Sequence, residues 1–391
     1  MRNWAVRWVC AGWVAFASGT ASGQTWQLSG YLKAMPSATF SRALPVSPLS
    51  QGYLHARHNF NWRSADRAFQ VRLGLRTRVF YGDQVAYTPG FAEGLAADRG
   101  IWDGSWNWWE SADDKGLGNT LFDRALVTWQ HGRWRVDAGR QRIHWGRHTI
   151  WNPNDLFNAY NFWDFDYAER PGTDALRIRR VVGGSGMNEV EVAARPGSAT
   201  QAPLVGGIFR WNRWGVDGQI LGAWYERTWA AGGAVSAGWG PLAFKAEGTV
   251  FGPGEAWGDS AIATGTLGME ATWGAGNFVQ LGVLHTPGVA NAGGSLTAGV
   301  PEAWQLLPFK RSALLSYQTA IFHQRVRLGI ATLWAPQPST VLAMPTLTMD
   351  VARDVTAGVV VQWVWSEAST ASSTSAFLSL QWNFNVRRSS R

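Results

Sequence analysis

The chain has 391 residues, 46% of them hydrophobic and 16% charged, with 26 Trp, 18 Phe and 8 Tyr, which excludes a disordered chain. Beyond the N-terminal segment no stretch holds the roughly 18 uninterrupted apolar residues of a membrane-spanning helix, so a helical membrane protein is excluded as well. The formal net charge of +8 rests on 35 basic residues, of which only Lys33, Lys115, Lys245 and Lys310 are lysines; the arginines are dispersed at alternate positions, which argues against nucleic-acid binding.

Residues 1–23 read as a cleavable export signal, with Arg2 and Arg7 ahead of an apolar core from Trp8 to Ala17 and a small-residue tail ending near Gly23. The only cysteine, Cys10, lies inside that core. The processed chain, 24–391, therefore offers no thiol for a disulfide, a zinc site or catalysis, and no metal or cofactor is expected.

From Gln24 onward nearly every segment alternates with period two, the pattern of strands with one apolar face. In 51–63, Leu54, Ala56, Phe60 and Trp62 oppose His55, Arg57, Asn59 and Asn61; in 67–80, Phe69, Val71, Leu73, Leu75 and Val79 oppose Gln70, Arg72, Gly74, Arg76 and Arg78. Candidate strands follow near 25–34, 51–63, 67–80, 121–130, 133–142, 174–182, 187–195, 203–212, 215–227 and 229–239. They continue near 241–251, 260–274, 277–287, 309–322, 324–334, 340–352, 355–366 and 374–386. The predicted fold is all-β: one transmembrane antiparallel β-barrel of about 18 strands, with 16 as the nearest alternative.

Loop lengths alternate too. Short turns such as His131-Gly132 and Arg353-Asp354 exchange with long connections at 35–50, 81–120, 143–173 and 288–308, the layout of short periplasmic turns and long extracellular loops. A spanning sheet must close, because an unpaired backbone group in lipid costs several kcal/mol. Trp129, Trp134, Trp224, Trp273, Trp334, Trp363 and Trp365 fall on the outward face or at strand ends, where interfacial girdles form. The last strand sets Leu378, Leu380, Trp382, Phe384 and Val386 against Ser379, Gln381, Asn383 and Asn385, and resembles the C-terminal assembly signal of outer-membrane proteins. The expected partners are the lipid bilayer and lipopolysaccharide, the barrel-assembly machinery and small polar solutes, with a homo-oligomer left open.

The most distinctive passage is 139–180. Gly139-Arg140-Gln141, Trp145-Gly146, Asn152-Pro153 with Asp155, and Glu169-Arg170-Pro171-Gly172 together resemble a motif of little-characterised porin-like outer-membrane barrels of Gram-negative bacteria. The connection between the flanking strands is far longer than a hairpin needs, as expected of a loop that folds into the lumen and narrows it. Its acids Asp155, Asp164, Asp166 and Glu169 would face the inward arginines Arg72, Arg76, Arg78, Arg124, Arg177 and Arg179, with Arg57 a further pore-lining arginine. They would either set a transverse field or pair with them to tie the loop to the wall. Glu189, Glu191 and Glu270 are further pore-lining candidates.

The cluster Trp102, Trp106, Trp108 and Trp109 fits either an interfacial belt or a sugar-stacking surface. No H-E-x-x-H, G-x-S-x-G or Walker-type sequence occurs, so no enzyme is predicted. The expected function is a passive outer-membrane channel for small polar or anionic solutes. Its rivals are a non-conducting adhesin or envelope-assembly subunit, and a barrel hydrolase using a loop histidine such as His148 with an aspartate.

Overall fold

The computed structural model describes residues 24–96, 100–102, 104–159, 172–184, 186–198, 201–255, 257–274, 276–288, 302–367 and 372–389. The expected export segment lies outside them, as do Asp164, Asp166 and Glu169.

The strands are β1 (Thr25–Ala34), β2 (Ser37–Ser41), β3 (Leu49–Arg63), β4 (Phe69–Gly82), β5 (Ser105–Glu110), β6 (Gly116–His131) and β7 (Trp134–Gln141). Next come β8 (Thr173–Val182), β9 (Asn188–Arg195), β10 (Leu204–Arg213), β11 (Val216–Tyr225), β12 (Thr228–Trp239), β13 (Leu242–Phe251) and β14 (Ile262–Trp273). The series ends with β15 (Asn277–His285), β16 (Arg311–Ile321), β17 (Val326–Pro336), β18 (Ser339–Ala352), β19 (Val355–Ser366) and β20 (Ser373–Ser389).

Each strand pairs antiparallel with its neighbours, and β20 closes the ring on β1 from Thr25↔Ser389 to Ala34↔Leu380. The wall has 18 strands. β1 and β2 are one wall strand interrupted at Met35-Pro36 without a change of register, since Pro36 has no N–H for the ladder. β5 belongs to no circuit of the wall: it pairs only with β6, above the point where β7 ends. The predicted strands are all present; β5, the β2 continuation and the early start of β6 at Gly116 were not foreseen.

The outward face carries the apolar alternation, with Val127, Leu267, Leu315 and Leu378 exposed, and tryptophans gather toward both rims. The rim holding the start of β1 and the end of β20 has short turns throughout. The opposite rim has the long connections, and two of its junctions, at 226–227 and 337–338, are as short as any turn.

A bulge in β6 shapes the inner face. Register slips by one residue where Gly74 pairs Arg124 and Leu75 pairs Phe122, so Asp123 is the extra residue. Its carboxylate reaches across β4 to accept two hydrogen bonds from Arg57, at 2.7 and 3.1 Å. Gly74 lies between them, and a Cβ there would stand 2.8 Å from the Asp123 carboxylate.

Residues 100–102 and the tryptophans of β5 cover the outside. Trp102 and Trp106 pack on Phe122, with ring centroids 5.9 and 6.0 Å apart, on the face shared with Leu75. Below them Arg140 and Asp174, at outward positions of β7 and β8, form a buried two-point ion pair. Arg140 also donates to the Trp102 carbonyl, and Asp174 accepts the Ile101 N–H. The tryptophan cluster thus occupies the outer face, as an interfacial belt would, and Arg140 of the Gly139-Arg140-Gln141 run joins the wall to it.

Candidate functional site

The lumen is dressed on one side. After β7, residues 142–159 turn inward and lie against the inner face of β9 to β15. The motif residues fold this segment onto itself: the Asp155 carboxylate accepts the N–H groups of Trp145 (2.7 Å) and Gly146 (3.4 Å) and pairs with His144 Nδ1 at 2.6 Å. Asn158 accepts the Ile143 N–H. Gly146 is required for close approach, since a Cβ there would stand 2.1 Å from the Asn152 side chain.

The folded segment is pinned to the wall by polar groups from several strands. Glu247 of β13 accepts three backbone N–H groups, from Arg147 (2.6 Å), His148 (2.9 Å) and Asn154 (2.8 Å). Gln219 of β11 donates to the Trp145 carbonyl at 2.5 Å and accepts from Arg147 Nε. The Trp145 indole donates to Glu191 at 2.6 Å, Thr249 donates to the Pro153 carbonyl, and Thr149 bonds Glu270. Trp145, Ile143 and Phe157 pack among the inward apolar residues Ile208, Leu221 and Phe251, while Ile150 and Trp151 pack beside Leu284 and Leu333. Burying each such side chain contributes roughly 1.5–3 kcal/mol.

A second segment, 302–309, covers the adjoining wall. Leu306, Leu307 and Phe309 join Leu314, Leu342 and Met344, Glu302 accepts from the Tyr225 hydroxyl, and Thr264 donates to the Trp304 carbonyl. Sequence reading did not foresee this insertion.

The arginines stand on the barer side, on β3, β4, β6, β7, β8 and β10. Asp137 is buried beneath three of them: Arg135 at 3.0 Å, Arg179 at 2.9 Å and Arg72 at 3.9 Å. Arg177 and Arg210 share Glu191, and Arg210 also reaches Glu189. Arg78 donates to Asn119, and Arg124 to the Asp123 carbonyl. In these two groups five guanidiniums meet three carboxylates, so the surface is net positive. Of these five, Arg72 is the most open, with 38% of its side chain exposed.

Several expected lining residues sit differently. Arg57 is 2% exposed because Asp123 takes its guanidinium, and Arg76 is likewise buried. Glu191 has no exposed surface, covered by Trp145 and two arginines. Asp155 turns its oxygens to its own segment, accepting from Trp145 and Gly146 and pairing with His144. Glu270 pairs with Lys245 at 2.8 Å. His148, the hydrolase candidate, is buried with its ring against Gly268, and its Nδ1 accepts the Ile150 N–H. Burial holds this imidazole near a pKa of about 4, well below the ordinary histidine value. A group so enclosed and uncharged is an anchor, not a base open to a substrate.

No family model matches the sequence, and no curated protein matches it. Solved structures share the architecture along nearly the whole chain. Acinetobacter baumannii OccAB4 aligns with a TM-score of 0.60 at 8% identity, over 93% of this chain and 99% of that one. Pseudomonas aeruginosa OccK9 (OpdG) gives 0.60 at 10% identity, over 93% and 98%. Pseudomonas aeruginosa OpdK, solved with vanillate, gives 0.58 at 10% identity, over 93% and 99%. The chain has the closed 18-stranded fold of these outer-membrane porins.

Proposed function

We propose that this chain is a channel of the bacterial outer membrane that passes small polar solutes by diffusion and favours anions. The observation that carries the reading is the arginine surplus around Asp137 and Glu191, facing a lumen that residues 142–159 partly fill. Guanidiniums already sharing one carboxylate keep donors for another, and a planar carboxylate suits their forked geometry. That OpdK was solved with vanillate, a carboxylate, agrees with this preference. The inserted segment narrows the lumen, and the arginines supply the charge discrimination at that level.

The test is planar-bilayer recording of the purified full-length protein. Open currents with a reversal potential displaced toward anion selectivity in a salt gradient are expected, and Arg72→Gln with Arg179→Gln should move it toward neutrality. A silent protein, still silent after 143–158 is excised, would refute a channel; unaltered selectivity in the double variant would refute the arginine assignment. The two apolar insertions at 142–159 and 302–309 favour one rival reading, a barrel plugged by its own loops, and the same silence would support it.

A further inference from the structure

We propose that the outer wall holds one lipid A molecule of lipopolysaccharide, an acyl chain lying in a groove across β11 to β16 and a phosphate resting on Arg311 and His285. The groove encloses about 1000 Å³. Its floor is a row of outward positions in register, Ile220, Gly233, Gly248, Gly265, His285 and Arg311, each paired with the next. Five strand spacings make it about 24 Å long. Val250, Leu267, Val283 and Trp334 form its sides.

Two of the glycines, Gly248 and Gly265, are not explained by the packing of the wall. A Cβ at Gly248 or Gly265 would meet nothing closer than 3.5 Å, and neither has a left-handed backbone. A strand-interior glycine without such a reason gives up stability and leaves room for a close approach from outside.

Charge says what approaches. Arg311 and His285 are directly paired, exposed and outward at the extracellular ends of β16 and β15, with exposed Lys310 beside them. Among the described wall strands the only other charged outward side chains of that half are Arg140 and Asp174, which neutralise each other under residues 100–102. Arg311 and Lys310, with the His285 imidazole as a further hydrogen-bonding group, stand at the upper end of an apolar groove and fit an anionic headgroup above an acyl chain. In the extracellular leaflet of an outer membrane the phosphate-bearing lipid is lipid A.

The test is native mass spectrometry of the full-length protein titrated with hexa-acylated lipid A, with dephosphorylated lipid A and phosphatidylglycerol as competitors. Wild type should retain one lipid A. Arg311→Ala with His285→Ala should weaken retention about tenfold or more, as loss of charge-assisted hydrogen bonds implies. Gly248→Leu with Gly265→Leu should weaken it while keeping the cations, and Arg311→Lys should largely restore it. Heat-dependent gel migration reports whether each variant is folded. Equal retention by the folded variants, or competition by dephosphorylated lipid A or phosphatidylglycerol as effective as by lipid A, would overturn the proposal. A wild-type oligomer that Gly248→Leu dissociates without changing lipid A retention would assign the groove to a second copy instead, and overturn it equally.

Discussion

Glu247→Ala is the sharpest test of how the luminal segment is held. The wild-type carboxylate accepts three backbone N–H groups within 2.9 Å, from both ends of the 147–154 turn. Leaving a buried N–H without its acceptor costs roughly 1–3 kcal/mol per group. Alanine leaves three buried donors without a partner, and water reaching in from the lumen recovers part of the loss. A net weakening of about 3–6 kcal/mol therefore falls on attachment of the segment, with little on the strand ladder, because the β13 backbone pairing is unchanged. A shift of about 3 kcal/mol raises the detached population more than a hundredfold. Hydrogen exchange read by mass spectrometry should show peptides covering 143–158 exchanging at least tenfold faster while β12 to β14 stay protected. Single-channel records should show added open-state noise. Unchanged exchange in 143–158 would refute the anchoring role; global loss of protection would place Glu247 in the stability of the wall.

Other outcomes follow from the same contacts. His148 has a folded-state value near 4 against an ordinary 6.5, so the unfolded chain binds more protons between those values, and the contribution of neutral His148 is full above pH 6.5 and lost as pH falls toward 4. Exchange of 143–158 should accelerate over that window by an amount corresponding to about 3 kcal/mol at most, and His148→Phe should flatten the profile. Arg57→Gln strands Asp123 in the wall at a cost of about 3–5 kcal/mol, read as a lower temperature of heat-modified gel migration. Leu307→Asp should free 302–309 and leave 142–159 protected, seen as limited proteolysis confined to the second segment.

The wall was legible because alternation is a local property. Leu54 to Trp62 and Leu378 to Val386 announce their face without knowledge of any partner. The lumen was less so, for two reasons. Inward apolar residues such as Leu284, Leu314 and Leu333 look in sequence like more of the lipid face, although here they receive inserted loops. The run Leu306-Leu307-Pro308-Phe309 was the available signal, since a water-exposed loop has no use for it. Paired charges were the second obstacle. Arg57 and Arg72 share a face and a residue type, and only the bulge at Asp123, invisible to periodicity, buries one and leaves the other open. Glu247 went unnoticed because a lone acid between Ala246 and Gly248 has no sequence neighbour to suggest that three amides converge on it.

The Arg140–Asp174 pair has a bearing on how the chain is threaded. Both side chains project from the outer face, where a bare arginine costs up to about 2–4 kcal/mol at the bilayer midplane and less toward the interface. Residues 100–102, which cover them, precede both strands in the chain. A molecule that passed this segment to the luminal side would present two uncovered charges to lipid. The pair therefore acts as a selector of threading, favouring the one topology in which residues 100–102 lie on the outside of the wall and the connection after β7 enters it.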